Sequence, residues 1–195
     1  MNRLAPITLF LLACYWLSPV CPGLLAQDYL IQRQQFGVED GLAHREVNSI
    51  FEDERGFIWL GTPLGLSRFD GQDFQTINVR TDSFLHNNIW RILPDPDGNF
   101  WLLPQPPFDD FTIWHPVTRA RTTFREKFGP DAVLPDRLPN AWVVSEKDGA
   151  IWSFAKGAGL WSCHPDRGVE IIPLPGVQDF DLITADEQSL WGIAD

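Results

Sequence analysis

Short apolar runs recur along this chain from residue 47 onward, and turn-forming residues close each of them. Val47 to Phe51, Ile89 to Leu93 and Trp142 to Val144 are each followed by an acid and a glycine. A second run then begins, at Phe57 to Leu60, Phe100 to Leu103 and Ile151 to Phe154. The runs are too short for helices and rich in β-branched and aromatic residues, which predicts strands. In the turns between them the acid bonds local backbone while glycine accepts a positive φ. The first unit continues through Pro63-Leu64-Gly65 to Leu66–Phe69, then through Asp70-Gly71 to Phe74–Val79. Four strands joined by tight turns make an antiparallel meander. The third unit repeats this with Gly159-Leu160-Trp161 and Val169 to Ile172, whereas the second replaces the Gly-Leu turn by Pro104-Gln105-Pro106-Pro107 and a longer loop. No helix is predicted outside the N-terminal segment.

The units have a common anchor. Asp53, Gly56 and Trp59 stand in the same spacing as Asp95, Gly98 and Trp101, and as Glu146, Gly149 and Trp152; Trp191 marks a weaker fourth unit without its glycine. The tryptophans are 42, 51 and 39 residues apart. A period of about 40–50 residues suits the four-stranded blades of a β-propeller. The expected fold is therefore all-β: an incomplete β-propeller of about three and a half antiparallel blades. The last unit stops short, so the chain reads as an amino-terminal part of a larger protein. A blade buries both faces against its neighbours, so these tryptophans are expected between blades and not on a sugar-binding platform. Burying one removes roughly 150–250 Å² from water, several kcal/mol at about 25 cal/mol/Å².

The N-terminus alters the picture of where this propeller lives. Arg3 precedes the apolar run Leu4–Leu17, Pro19, Pro22 and Gly23 break any helix, and Leu24-Leu25-Ala26 ends before polar Gln27. Residues 1–26 have the anatomy of a secretory signal peptide, with 27–195 as the exported part. Leu11-Leu12-Ala13-Cys14 also reads as a lipoprotein box, although Leu12 is bulky for one and cleavage there would leave an apolar tail. Without residues 1–26 the chain has 14 basic and 26 acidic side chains, a net charge near −12. Such a surface repels phosphate backbones and anionic headgroups, which argues against nucleic acid as a partner. Cys163 is then the one remaining cysteine, expected as a small core residue. A periplasmic or other extracytoplasmic location follows, with any membrane anchor beyond residue 195.

Candidate chemistry is sparse. The acid pairs Asp95/Asp97, Asp109/Asp110 and Asp179/Asp181 lie in turns and loops with no partner for acid–base work. His115 and His164 precede proline at the same point of their repeats, and no histidine pair has metal-ligand spacing. No phosphate loop, nucleophile elbow or kinase signature occurs. Neither a catalytic residue, a metal site nor a cofactor is expected. Ligands of propellers usually meet the loops at one mouth of the central channel. The segments entering the innermost strands carry Arg45 and Asn88, which are the candidate ligand-binding residues, against the plainer reading of solvated loop positions.

Gly41-Leu42, Val47, Ile50, Asp53-x-x-Gly56-Phe57-Ile58-Trp59-Leu60-Gly61-Thr62 and Gly65-Leu66-Ser67-Arg68-Phe69-Asp70-Gly71 together resemble the two-component regulator propeller repeat. The second and third units keep the turn and the tryptophan but have Leu103-Pro104 and Phe154-Ala155 in place of Gly-Thr. The resemblance implies the periplasmic sensor of a hybrid histidine kinase or transcriptional regulator of Bacteroidetes-type bacteria. It also implies paired seven-bladed propellers, a β-sandwich, a membrane helix and cytoplasmic signalling domains. The implied partners are a ligand (a glycan fragment or a protein), further blades and signalling domains of the same protein, and a second copy in a homodimer. A secreted propeller enzyme such as a glycosidase or lyase, and a protein-binding scaffold, are the competing readings.

Overall fold

The computed structural model describes residues 33–134, 142–145, 148–155, 159–177, 180–185 and 190–194. Residues 1–26, expected as a signal peptide, and Glu146 lie outside these residues, and so does the side chain of Trp191. Residues 36–195 form one compact unit.

Three four-stranded antiparallel sheets follow one another along the chain, each in simple sequential order. The first contains β1 (Ser49–Glu52), β2 (Ile58–Thr62), β3 (Gly65–Phe69) and β4 (Phe74–Ile77). The second contains β5 (Ile89–Pro94), β6 (Phe100–Pro104), β7 (Thr112–Trp114) and β8 (Arg121–Thr123). The third contains β9 (Trp142–Val144), β10 (Ile151–Ala155), β11 (Gly159–His164) and β12 (Gly168–Ile172), and a pair follows, β13 (Phe180–Ala185) with β14 (Leu190–Ala194). The first strands of successive sheets are neighbours, β1 beside β5, β5 beside β9 and β9 beside β13. The sheets are therefore arranged as blades about a common axis, with each first strand innermost.

Side chains alternate between the two faces of a strand, and the core is divided accordingly. In β6, Phe100 and Leu102 join Trp59, Leu66, Ile77, Ile92 and Trp114 in a cluster between blades 1 and 2. Their neighbours Trp101 and Leu103 join Phe111, Phe124, Trp142, Ile151, Trp161 and Cys163 between blades 2 and 3. Trp59 meets Phe100 and Trp114 edge-on, at centroid distances of 5.1 and 5.8 Å, a geometry the ring quadrupoles favour. Polar contacts add register. Ser49 Oγ accepts from Ile92 N, and Asn48 Nδ2 donates to the Ile89 carbonyl. A Cβ on Gly61 would come within 3.0 Å of Ile89, so the Gly-Thr of the first unit serves this close approach. Thr62 then braces the β2–β3 turn by donating to the Gly65 carbonyl.

Two features differ from the sequence reading. Val79 does not extend β4 but begins a one-turn helix, α1 (Val79–Asp82), and a second, α2 (Phe124–Phe128), follows β8. Both follow an N-cap whose side chain accepts from the first turn, Asn78 and Thr123, while the cap's own amide donates in return to the side chain of the third helical residue. In the third blade, the residue matching Asp53 and Asp95 is Ser145, not Glu146. Ser145 N donates to the Ala150 carbonyl, which lengthens by one residue the turn that runs Asp53 to Phe57 and Asp95 to Asn99.

Candidate recognition surface at the inner-strand mouth

Among the repeat positions, Asp53 with Trp59 and Asp95 with Trp101 share a relation that was not legible in the pattern. Asp53 Oδ2 accepts from Trp59 Nε1 at 3.0 Å, and Asp95 Oδ2 accepts from Trp101 Nε1 at the same distance. The acid of each turn thus holds the indole that faces the next blade. It also orders its own turn, Asp53 Oδ1 accepting from the amides of Arg55 and Phe57. Burial acts to raise the Asp53 pKa, but the bonds from Trp59, Arg55 and these amides outweigh it and hold the carboxyl below its ordinary value. Gly56, Gly98 and Gly149 all have positive φ in these turns. Trp59 and Trp101 are fully buried, whereas Trp152 is only half-buried.

Asp110, His115 and His164 are occupied in turns as well. Asp110 Oδ1 accepts from the Phe111 and Arg125 amides. His115 Nδ1 accepts from Val117 and Thr118, and His164 Nδ1 from Asp166 and Arg167, so the equivalent histidines cap the turns after β7 and β11. Asp179 lies outside the described residues, as does the side chain of Asp181. Among the described residues no group of three or more His, Cys, Asp or Glu side chains could hold a metal ion. Cys163 is buried between blades 2 and 3, where burial pushes its thiol up to about 12.

Arg45 and Asn88 both lie just before an innermost strand, at the blade end shared with the β2–β3 and β6–β7 connections. Arg45 is exposed. Asn88 is half-buried, and its Nδ2 donates to Gln105 Oε1 at 3.1 Å, tying the lead-in to β5 to the long β6–β7 loop. The residue equivalent to Arg45, 42 positions on, is Asn87, whose Oδ1 accepts from Val79 N and fixes the connection after β4. Sequence reasoning passed over Trp90. The pairing of β5 with β6 shifts register between Ile89 and Arg91, leaving Trp90 as the extra residue of a bulge, half-buried on the inner strand two residues from Asn88. Bulges of this kind re-aim a side chain beside functional sites. Its signal was an aromatic at the position where the first repeat has Asn48. On the outer rim, an open cleft of about 500 Å³ is lined by Phe128, Pro130, Val133, Val169 and Ile171.

Consecutive four-stranded meanders set around their first strands define a β-propeller. Residues 41–63 and 83–103, each running from the lead-in into the second strand of one of the first two blades, match the two-component regulator propeller family. The fold is similar to two extracellular domains assigned to hybrid two-component systems of B. thetaiotaomicron. One has 22% identity and a TM-score of 0.60 over 77% of this chain and 21% of that one. The other has 20% identity and a TM-score of 0.56 over 75% and 22%. Virginiamycin B lyase of Staphylococcus aureus shares the fold too, with 14% identity and a TM-score of 0.54 over 74% of this chain and 47% of the lyase. The chain thus spans about a fifth of the length of the two extracellular domains. No curated protein sequence matches it.

Proposed function

We propose that this chain is part of the extracytoplasmic sensing propeller of a two-component-type regulator, non-catalytic in itself, which binds a solute at the inner-strand mouth. The observation that carries this reading is that each of the two regulator propeller matches spans the lead-in and first two strands of a four-stranded blade. The extracellular domains that share the fold are described as parts of hybrid two-component systems, which supports the same assignment. Asp53, Asp95, Asp110, His115 and His164 serve turns, and the groups suited to recognition on this reading are Arg45, Asn88 and Trp90. A half-buried indole two residues from a carboxamide, with a guanidinium on the lead-in to the neighbouring inner strand, suits a glycan fragment, whose C–H faces stack on aromatics while its hydroxyls take polar partners.

The test is titration of the full-length protein with a panel of oligosaccharides, followed by isothermal calorimetry on Trp90→Ala and Arg45→Ala. Saturable binding weakened about 10-fold or more by either variant supports the reading, since that corresponds to about 1.4 kcal/mol. Turnover of a bound oligosaccharide would replace it with the secreted-enzyme reading. Binding of a protein over a broad face, with no affinity for solutes, would replace it with the scaffold.

A further inference from the structure

Two successive junctions between blades are built on one plan and finished differently. Trp114 and Cys163 hold the same place, each near the end of a third strand and directly before a His-Pro turn capped by Nδ1. Four residues after each histidine the chain passes through positive φ, at Arg119 (60°) and at Gly168 (81°). In the junction between blades 1 and 2 both places are filled. Trp114 is fully buried against Trp59, Phe84 and Phe100. The Arg119 guanidinium lies 5.3 Å from the Trp114 ring centre and donates to Asp82 Oδ1 at 2.7 Å. Asp82 is the last residue of α1, so Arg119 bridges the outer rim from the β7–β8 turn to that helix.

In the junction between blades 2 and 3 a thiol stands in place of the indole, and Gly168 has no side chain to form the bridge. The last residue of α2 is Phe128 instead of an acid. The contact that follows the helix changes as well. Leu85 N donates to Thr112 Oγ1 seven residues after the Asn78 cap. Trp161 takes the place of Thr112 in the third blade, and its Nε1 donates to the Val133 carbonyl at 2.8 Å, ten residues after the Thr123 cap. This longer segment forms one wall of the open cleft of about 500 Å³, and β12 forms the other through Val169 and Ile171. Phe128 and Val169 line it, and they flank the span that Arg119 crosses in the preceding junction.

The cleft has the volume of a small-molecule site, for which ~300–1,000 Å³ is usual. Its apolar walls are open to solvent, Val133 being 52% and Ile171 37% exposed. Asp131 is the one ionisable side chain among the lining residues. Arg125 is committed to the Asp109 and Pro130 carbonyls, and Lys127 Nζ lies 5.4 Å from the Phe128 ring centre.

We propose that this cleft binds a small organic cation with a flat apolar body, of the protonated arylalkylamine class. The body takes the apolar walls and the ammonium group takes the Asp131 carboxylate. The pairing reproduces with a ligand what Trp114, Arg119 and Asp82 supply from the chain itself in the preceding junction. A net charge near −12 on residues 27–195 favours a cation over an anion. The site lies on the outermost strand of blade 3 and stands whether or not the inner-strand mouth binds a solute.

The test is titration of the full-length protein with tryptamine, followed through the methyl resonances of Val133, Val169 and Ile171. Saturable shifts are expected, with a Kd on the order of 1 mM for so small a molecule. Indole-3-propionate, similar in shape and opposite in charge, should bind about 10-fold or more weakly. Asp131→Asn should weaken tryptamine about 5-fold, and Ile171→Trp, which fills the cleft, should abolish the shifts at Val133 and Val169. Asp131 is exposed, so its variant decides the matter even where Ile171→Trp fails to fold. No saturable shift at these methyls up to about 10 mM tryptamine would overturn the proposal. Equal or tighter binding of the propionate would also overturn it, by giving the charged role to Lys127. Binding indifferent to Asp131→Asn would refute the assigned ion pair.

Discussion

Asp95 and Trp101 are joined side chain to side chain across one turn, the carboxylate Oδ2 accepting from the indole Nε1 at 3.0 Å, with both residues buried. The bond fixes the rotamer of the ring that blade 3 packs against. Asp95→Ala leaves the indole N–H buried without its acceptor and also frees the turn amide of Asn99. The expected loss is about 1–3 kcal/mol in urea unfolding. Asp97→Ala, two residues away and exposed, should stay within about 0.5 kcal/mol.

Trp59→Ala removes the ring that fills the space between Phe100 and Trp114. A cost on the order of 3–5 kcal/mol is expected from the lost burial and the cavity left behind. A loss under about 1 kcal/mol would show that the interface between blades 1 and 2 can collapse onto the gap.

Much of this was written in the pattern of the chain. The runs at Ile89, Trp142 and Ile151 begin β5, β9 and β10, because period and turn chemistry are local properties. The partner of each turn acid was not legible, since local backbone bonding already accounts for an acid at Asp53 or Asp95. The bulge at Trp90 was hidden for another reason. Register depends on the facing strand, and the apolar run Ile89–Leu93 looks the same with or without an extra residue. Ser145 was missed because the turn is longer by one residue, so that Gly149 and Trp152 keep their places while the spacing of the first two units points to Glu146 instead of Ser145.

The depressed pKa of Asp53 makes stability depend on pH in one direction. Its folded-state value lies below the ordinary 3.8. The stabilisation is therefore complete above about pH 4 and fades as pH falls through the folded value, where the carboxylate takes up a proton. Thermal melts between pH 6 and pH 2.5 should show the wild-type advantage over Asp53→Asn shrinking toward acid. An advantage that grows toward acid would contradict the assigned hydrogen bonds.

Gly65 and Gly71 separate two roles of glycine in one blade. Both have positive φ, 132° and 100°. A Cβ at Gly65 would meet the Ile77 carbonyl oxygen at 2.5 Å, whereas one at Gly71 would meet nothing within 4 Å. Gly71→Ala should cost about 1 kcal/mol from backbone strain alone. Gly65→Ala should cost roughly 1–3 kcal/mol more, since the third strand must move away from β4.

Cys163 offers a probe of opening between blades 2 and 3. Its thiol is fully buried, with a pKa near 12, so almost no thiolate is present at pH 8. Labelling by a disulfide reagent is expected to follow unfolding, rising in step with urea denaturation. Rapid labelling of the folded chain would place Cys163 at the surface.

The alternation along β6, with Phe100 and Leu102 turned to one neighbour and Trp101 and Leu103 to the other, also bears on how such repeats diverge. What constrains Trp59 is the aromatic pair of the following unit, Phe100 and Trp114, and not its own counterpart at Trp101. Successive units can therefore drift apart in sequence, provided that each drifts in step with the next. Relatives of this chain should accordingly show correlated substitutions between adjacent units, at Trp59 with Phe100 and Trp114, stronger than any between positions that merely align.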